Sequence, residues 1–422
     1  MIDIAATVKS GPMKGYRVLE LCSTIAGPAC ARLLADFGAD VIKVEPPEGD
    51  PVRSMGYYDG DVALYAASIL RNKRSVAIDI KTEQGRDLVK SLAEQCDVVV
   101  ENFRPGTLER LGLGYEALSA KNKGLVMVRI SGYGQDGPYS AKPGYGAICE
   151  AFAGVRHLTG DPDRPPARVA LAVTDYLTAI YAAFGTVMAL LERKDTGLGQ
   201  VVDAALYETA FSMMESVVPI YERTGMVPTR QGSRLPSMAP NNLYLAKDGA
   251  YVLIAANNNP VFQRLCEAMQ RPELATDPRY ATIRARAENM DAIDAEVAAW
   301  VGQYSGKDVE SRLEAVGVPV SRVFTIADIY EDPHYRARDM LAEVPHPRLG
   351  HITMAGIVPK MSRTPGAITH IGPETGADTS EVLSGLLHLS AEQLAGLRQA
   401  GAIGPFETKP KGVAKSKTGV AG

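Results

Sequence analysis

From Tyr16 onward, short β-rich runs alternate with helical patterns: YRVLELCS, GPACARLLADFGA and DVIKVEP, then RSVAIDI, TEQGRDLVKSLAEQC and DVVVENF, then LVMVRISGYG. Strands that alternate with helices imply right-handed βαβ units and a parallel sheet. The expectation for this half is an open α/β fold.

The pattern does not persist. Between about 224 and 240 it breaks into TGMVPTRQGSRLPSMAP, rich in Gly, Pro and Ser, where a domain boundary or an active-site loop belongs. LYLAKDGAYVLIAAN reads as a hairpin turning at Lys247 to Gly249, and helical periods follow over 260–270, 284–304 and 307–316. This is the signature of a smaller α+β domain. From Asp332 and Pro333 the chain reads as extended, LAEVPHPRLGHITMAGIVPKMS alternates like β-structure, and the last helix spans 391–399. The tail ETKPKGVAKSKTGVAG has almost no apolar content and reads as disordered. With 422 residues, the expectation is more than one domain. The division read is a large domain over 1–216, a linker and active-site loop over 217–243, a small α+β domain over 244–325, a return segment over 326–405 that completes the large domain, and a tail over 406–422.

Net charge is −4, with acids and bases interspersed. No global basic field attracts nucleic acid or an anionic membrane, so an anionic ligand must be held by local charges. Cys22, Cys30, Cys96, Cys149 and Cys266 are scattered, with no CxxC pair and no nearby His cluster, which argues for reduced thiols and against a metal site. MIDIAATVKSGPMKG has no apolar stretch behind a basic start, so no secretory signal is read and a cytoplasmic protein is expected. The apolar run Tyr176 to Leu191 falls short of the roughly 20 residues of a bilayer span, and reads as a buried helix.

STIAGPAC stands after the first strand, where a dinucleotide-binding fold would carry GxGxxG, and Glu45 ends the second strand like a ribose-binding acid. The NAD reading fails on detail: Gly27 stands alone and Pro28 lacks the N–H that a pyrophosphate would need. Asp175 precedes YLTAIYAAFGTVMALL, so it lies at the start of a largely apolar helix. A plain N-cap is the common role of such an Asp, yet a carboxylate facing the positive helix end stays ionised where water is scarce and can act as a nucleophile. Arg71, Lys73, Arg74 and Lys81 surround a strand, and Arg104 and Arg110 follow another; scattered surface charge is their ordinary explanation. Asn102, Phe103 and Arg104, however, fall at the carboxyl end of a strand, where open α/β sheets bind ligands.

Taken in order, the runs VLELCSTIAGPACARLLADFGADVIKVEPPEGDPVR, RNKRSVAIDIKTEQG, VENFRPGTLERLGLGYEAL, GYGQDGPYSAKPGY, the Asp175 helix with TGLGQVVDAALYE, and DPRYATIRARAENM resemble family III CoA transferases, the formyl-CoA transferase and carnitine CoA-transferase (CaiB/BaiF) type. The likeness runs from about Gly15 to Leu387. It implies a Rossmann-like large domain, a small domain inserted within it, and two subunits threaded as an interlocked homodimer, a topology that long linkers around 217–243 and 325–360 would serve.

Carried over by position, Asp175 falls on the family's catalytic aspartate, which attacks an acyl-CoA to give a mixed anhydride and then an aspartyl-CoA thioester. Thr24, Ile25, Ile78, Lys81, Asn102, Phe103, Arg110, Leu111, Lys142 and Tyr145 fall on CoA-binding positions, as suits a ligand with phosphates and an adenine. Gly232 and Ser233 resemble the segment that shields the intermediate from water. Coenzyme A is then a substrate, with no permanently bound cofactor and no metal, and the acceptor is a small carboxylic or dicarboxylic acid. Arg53 and Arg234 are candidates for the acceptor's distal carboxylate. Oxalate users carry Gln where Ile25 stands, Arg where Pro46 stands, and a glycine-rich lid, so oxalate is not the expected acceptor. Two alternatives remain. An α-methylacyl-CoA racemase would need a His where Tyr145 stands, and a CoA-binding protein without catalysis would bind CoA and exchange nothing.

Overall fold

The structure, a computed structural model, describes residues 11–404. The reading of 406–422 as a disordered tail falls outside them. The chain forms two compact units: a large one up to Ala153, over Val169–Glu215 and from Asp339 on, and a small one made of Gly154–Arg168 and Ser216–Arg338.

In the large unit, strands β1 (Arg17–Leu21) and β2 (Asp40–Glu45) are followed by a ribbon of β3 (Tyr58–Asp59) and β4 (Val62–Ala63), then by β5 (Lys73–Ala77), β6 (Val98–Glu101), β7 (Val126–Ser131) and β8 (Val201–Ala205). Six of these make one sheet in the order β5-β2-β1-β6-β7-β8, parallel at every pairing. Counted among themselves they run 3-2-1-4-5-6, the doubly wound order, whose switch point lies between the first and fourth strands. Here those are β1 and β6.

Registers such as Val18↔Val41 and Val18↔Val98 align like residues across strands. Val18, Val41, Val98, Val100 and Val128 then face one apolar layer, which contains the helices Ala26–Asp36 and Val173–Thr196. Leu19, Ile42, Val76, Val99 and Met127 face the other, which takes in Leu88, Val89 and Leu92 of the helix Glu83–Glu94 together with Val382, Leu383, Leu394 and Ile403. The carboxyl-terminal segment thus covers the second face. It is tied there by Ser75 N–H to Asp378 Oδ2 at 2.7 Å and Ala77 N–H to Thr379 Oγ1 at 3.0 Å.

In the small unit, β9 (Asn241–Leu245), β10 (Tyr251–Ala255) and β11 (Val320–Arg322) form an antiparallel sheet in the order β11-β10-β9. Gly249 takes φ +85 in the hairpin turn, a conformation open to glycine. The helices Asn259–Ala268, Met290–Val301 and Gly306–Glu314 pack Phe262, Leu265, Val297, Trp300 and Leu313 against Val252 and Ile254.

Several local expectations are corrected. The helix read over 284–304 is two, Ile283–Glu288 and Met290–Val301, separated at Asn289, whose side chain donates to Ala285 O at 2.9 Å. The linker read over 217–243 contains a helix, Val217–Thr224, stopped by Gly225 in a left-handed conformation. The return segment is not wholly extended: it holds the helices Ile326–Glu331, Pro333–Ala337 and Thr379–Leu387, and its alternating stretch is a hairpin of β12 (Leu341–His346) and β13 (Gly350–Ala355). The stretch 154–168, read as part of the large domain, is bonded into the small unit, where Gly232 N–H donates to Gly160 O at 3.0 Å.

The helix Val173–Thr196 is not buried on all sides. Ala179, Ala182 and Leu190 face the sheet, whereas Ile180, Phe184, Val187, Met188 and Leu191 are exposed. Arg71 and Lys73, whose ordinary reading was surface charge, are buried as well, because carboxylates from neighbouring segments pair with them: Asp36 with Arg71 at 2.7 Å and Glu20 with Lys73 at 2.7 Å.

Candidate active site

At the carboxyl ends of β1, β6 and β7 a cavity of about 220 Å³ opens at the switch point, where this topology leaves room for a ligand. One wall is the turn from β1 into the helix Ala26–Asp36. It supplies Ser23, Thr24, Ile25 and Ala26. Thr24 has φ +72, which a β-branched residue rarely adopts. Gly27 is needed for close approach, since a Cβ there would lie 2.3 Å from Cys22 Sγ. Asn102, just past β6, locks the turn sideways: its Oδ1 accepts Ser23 N–H at 2.9 Å and its Nδ2 donates to Ser23 O at 2.8 Å.

Phe103, Arg104 and Pro105 continue this wall. Beneath them lies buried Glu101, which accepts Phe103 N–H at 2.8 Å and Arg129 Nε at 2.7 Å. Arg129 also reaches Glu109 at 2.7 Å, which fixes the short helix Thr107–Arg110.

The opposite wall comprises Ile130, Ser131, Gly132, Ser140, Lys142, Pro143, Gly144, Tyr145, Asp175 and Leu206. Gly132 and Gly144 touch closely enough that a Cβ on the first would lie 2.8 Å from the Cα of the second. Asp175 sits in the first turn of Val173–Thr196, whose cap is Ala172 without a side-chain bond, so Asp175 is not the N-cap. A carboxylate in that turn is still favoured by the helix dipole. Its carboxylate packs on Gly146, where an added Cβ would lie 2.1 Å from Oδ2. Behind it Cys149 donates its S–H to Gly132 O at 3.3 Å. Burial, and then the charge of Asp175, push this thiol up to about 11, which favours its protonated form at neutral pH.

Seven of the residues singled out from the sequence therefore meet in one cavity: Thr24, Ile25, Asn102, Phe103, Lys142, Tyr145 and Asp175. Four do not line it. Ile78 is buried past the end of β5, bridged to Ile403, and Lys81 is exposed three residues on. Arg110 is exposed, with Nη2 on Thr107 Oγ1 at 3.0 Å, and Leu111 packs against the second apolar layer. Among the described residues, the cations lining the cavity are Arg104 and Lys142, the latter with its Nζ 3.3 Å over the Tyr139 ring.

Arg53 and Arg234 are committed elsewhere. Arg53 donates to both oxygens of Glu45, at 2.7 and 2.6 Å, and Arg234 pairs with Asp291 and Asp294 at 2.7 and 2.8 Å. Burial alone would raise Glu45, but Arg53, Lys43 and Ser75 draw it down to about 2. With those partners, and with Asp50 N–H at 2.9 Å, Glu45 has no oxygen facing a ribose. The dinucleotide strand order is present; the dinucleotide chemistry is not.

Residues that sequence reasoning missed are Gly146, whose lack of a side chain makes room for the Asp175 carboxylate, and the buried Asp50 behind Thr24. Gly146 carried a faint signal as the second glycine of PGYG beside Tyr145.

A doubly wound sheet with a cleft at its switch point, lined by Arg104 and Lys142 and holding a carboxylate, suits an anionic ligand. The chain matches the sequence model of CoA-transferase family III over residues 13–379, and it belongs to that family. It is accordingly a transferase that uses CoA thioesters as substrates. It is 46% identical over 390 residues to succinyl-CoA--D-citramalate CoA-transferase of Chloroflexus aurantiacus, covering 92% of this chain and 97% of that one. It is 40% identical over 364 residues to succinyl-CoA:mesaconate CoA-transferase of Haloarcula hispanica, covering 84% and 91%. Among solved structures, a CAIB/BAIF family protein from Brucella suis superposes with TM-score 0.80 at 34% identity, over 90% of this chain and 100% of that one.

Proposed function

We propose that the enzyme moves CoA from succinyl-CoA to a dicarboxylic acid of four or five carbons, with Asp175 as the covalent nucleophile. The observation that supports this best is that Asp175 is, among the described residues, the one acidic group lining the cavity. The substrates named for the relatives, succinyl-CoA with citramalate, malate or mesaconate, supply the substrate class.

The Asp175 carboxylate attacks the succinyl thioester carbonyl and expels CoA thiolate, which leaves a mixed anhydride. The thiolate attacks the aspartyl carbonyl, releasing succinate and forming an aspartyl-CoA thioester. The acceptor carboxylate then displaces the thiolate, and the thiolate takes the new acyl group and regenerates Asp175. No water is consumed, and every step exchanges one acyl bond for another. Asn102, Phe103 and the turn from Thr24 hold the pantetheine end, with Arg104 and Lys142 facing the negative charges. Racemisation would need a second proton carrier, and among the described residues no histidine lines the cavity.

The exposed apolar face of Ile180, Phe184, Val187, Met188 and Leu191, with Ile148 and Phe152 nearby in the fold, suits a second copy of the chain, so the working enzyme is a homodimer. A panel of acyl-CoA donors against free acids, read by mass spectrometry, tests the assignment. Succinyl-CoA with a C4 or C5 diacid is expected to exchange fastest. Preference for monocarboxylate acceptors would contradict it.

A further inference from the structure

We propose that Asp50 is the positioning residue that sets the geometry of the cavity, by holding the Thr24 turn in a left-handed conformation which threonine does not keep by itself. The functional half of this rests on the reading of the cavity as the thioester site.

Thr24, at φ +72, is placed where a β-branched side chain crowds its own backbone, and such strain persists where surrounding contacts over-determine it. The helix that follows has no side-chain cap at Ile25 to organise the turn. Asp50 does so instead. Its Oδ1 accepts Thr24 N–H at 3.1 Å and Val52 N–H at 2.8 Å, and its Oδ2 lies 2.6 Å from Lys43 Nζ.

Lys43 goes on to Glu20 Oε1 at 2.9 Å and to Cys22 O at 2.9 Å. Glu20 Oε2 takes Lys73 Nζ at 2.7 Å, and Lys73 also donates to Pro28 O at 2.7 Å. Four alternating charges, Lys73, Glu20, Lys43 and Asp50, all at or below 3% exposure, therefore grip the turn at Cys22, Thr24 and Pro28. Two cations and two anions balance, so the chain needs no outside counter-ion. Buried ion pairs add little net stability over apolar packing, whereas fixing one conformation is a use that suits them. Asp50 does not line the cavity; it acts through Thr24, Ile25 and Ala26, which do.

The test is a double-mutant cycle in the full-length enzyme, read by succinyl-CoA exchange kinetics and by thermal melting. In Asp50→Asn, either orientation of the amide sets an N–H against Lys43 Nζ or against the Thr24 and Val52 amides. KM for succinyl-CoA should rise about tenfold, with kcat changed less.

 In a Thr24→Gly background the same change should alter KM less than about twofold, because glycine takes φ +72 without strain. An equal effect in both backgrounds would overturn the proposal, since a merely structural Asp50 is indifferent to the residue at 24. The melting cycle reads the conformational claim without substrate, so absence of CoA exchange in the intact enzyme would defeat the functional reading and leave this coupling measurable. Should Asp50→Asn fail to fold, the proposal predicts that Asp50→Asn/Thr24→Gly folds and that Thr24→Gly alone melts higher than the intact enzyme. A lower melting point for Thr24→Gly would contradict it.

Discussion

The two walls of the cavity are built on different principles. The wall of Ser23–Ala26 and Asn102–Pro105 is fixed from behind by buried charge: Glu20, Lys43, Lys73 and Asp50 under one turn, Glu101 and Arg129 under the other. The wall of Ser140–Gly146 and Asp175 is fixed by glycine contacts, Gly132 on Gly144 and Gly146 on the carboxylate itself. Its outer side is apolar and open, with Tyr145 75%, Ile148 53% and Phe152 50% exposed. The ionic wall is finished within one chain and suits a binding surface. The glycine wall carries Asp175, the proposed nucleophile, and leaves apolar side chains exposed.

The largest expected effect tests the ionic wall by pH. Glu45, behind the first turn, is held at about 2 against an ordinary value of 4.5. A depressed carboxylate contributes stability that is present above the ordinary value and is lost as pH falls from about 4.5 towards 2, here about 3 kcal/mol. Glu45→Gln should flatten the pH dependence of denaturant stability across that window. An unchanged slope would show the ionic wall to be less coupled than its geometry implies.

Next in size is the glycine wall. Gly146→Ala would place a methyl group 2.1 Å from Asp175 Oδ2, so the carboxylate must turn away. A kcat lowered about 100-fold, with KM for the acyl-CoA and the melting point little changed, is expected from such a misplacement. Should KM rise and kcat hold, the nucleophile would not be on this wall. The smallest effect belongs to Asn102→Ala, which removes both bonds to Ser23 and should raise KM about tenfold while leaving kcat within about twofold. A fall in kcat alone would erase the division between a binding wall and a reacting wall.

The parallel sheet was legible because each strand is short, β-rich and flanked by a helical period, and both its faces are buried. The position of the switch point was not, since it depends on which strands pair. Asn102 and Phe103 could still be placed at a strand's carboxyl end from the run DVVVENF. Lys73 and Arg71 read as surface charge because their partners, Glu20 and Asp36, are distant in sequence and meet them only through the register of the sheet. The helix after Asp175 read as buried because it is apolar almost all round, yet a single chain covers one face of it. Arg53 and Arg234 looked available for a substrate because no local pattern reveals that Glu45 and Asp294 already bind them. Residues that act through the backbone, such as Gly146, leave almost no mark on composition or periodicity.

The central claim is that CoA passes through a covalent intermediate on Asp175, and it is tested most directly by trapping that intermediate. The enzyme is incubated with succinyl-CoA alone, treated with hydroxylamine or borohydride, digested and mapped by mass spectrometry. The account predicts a hydroxamate or an alcohol on the peptide containing LAVTDYLTAIYAAFG, and none in Asp175→Asn, which should fold normally and lose activity because an amide does not supply the anhydride oxygen. A trapped adduct on another acidic residue, or an Asp175→Asn variant with full activity, would contradict it.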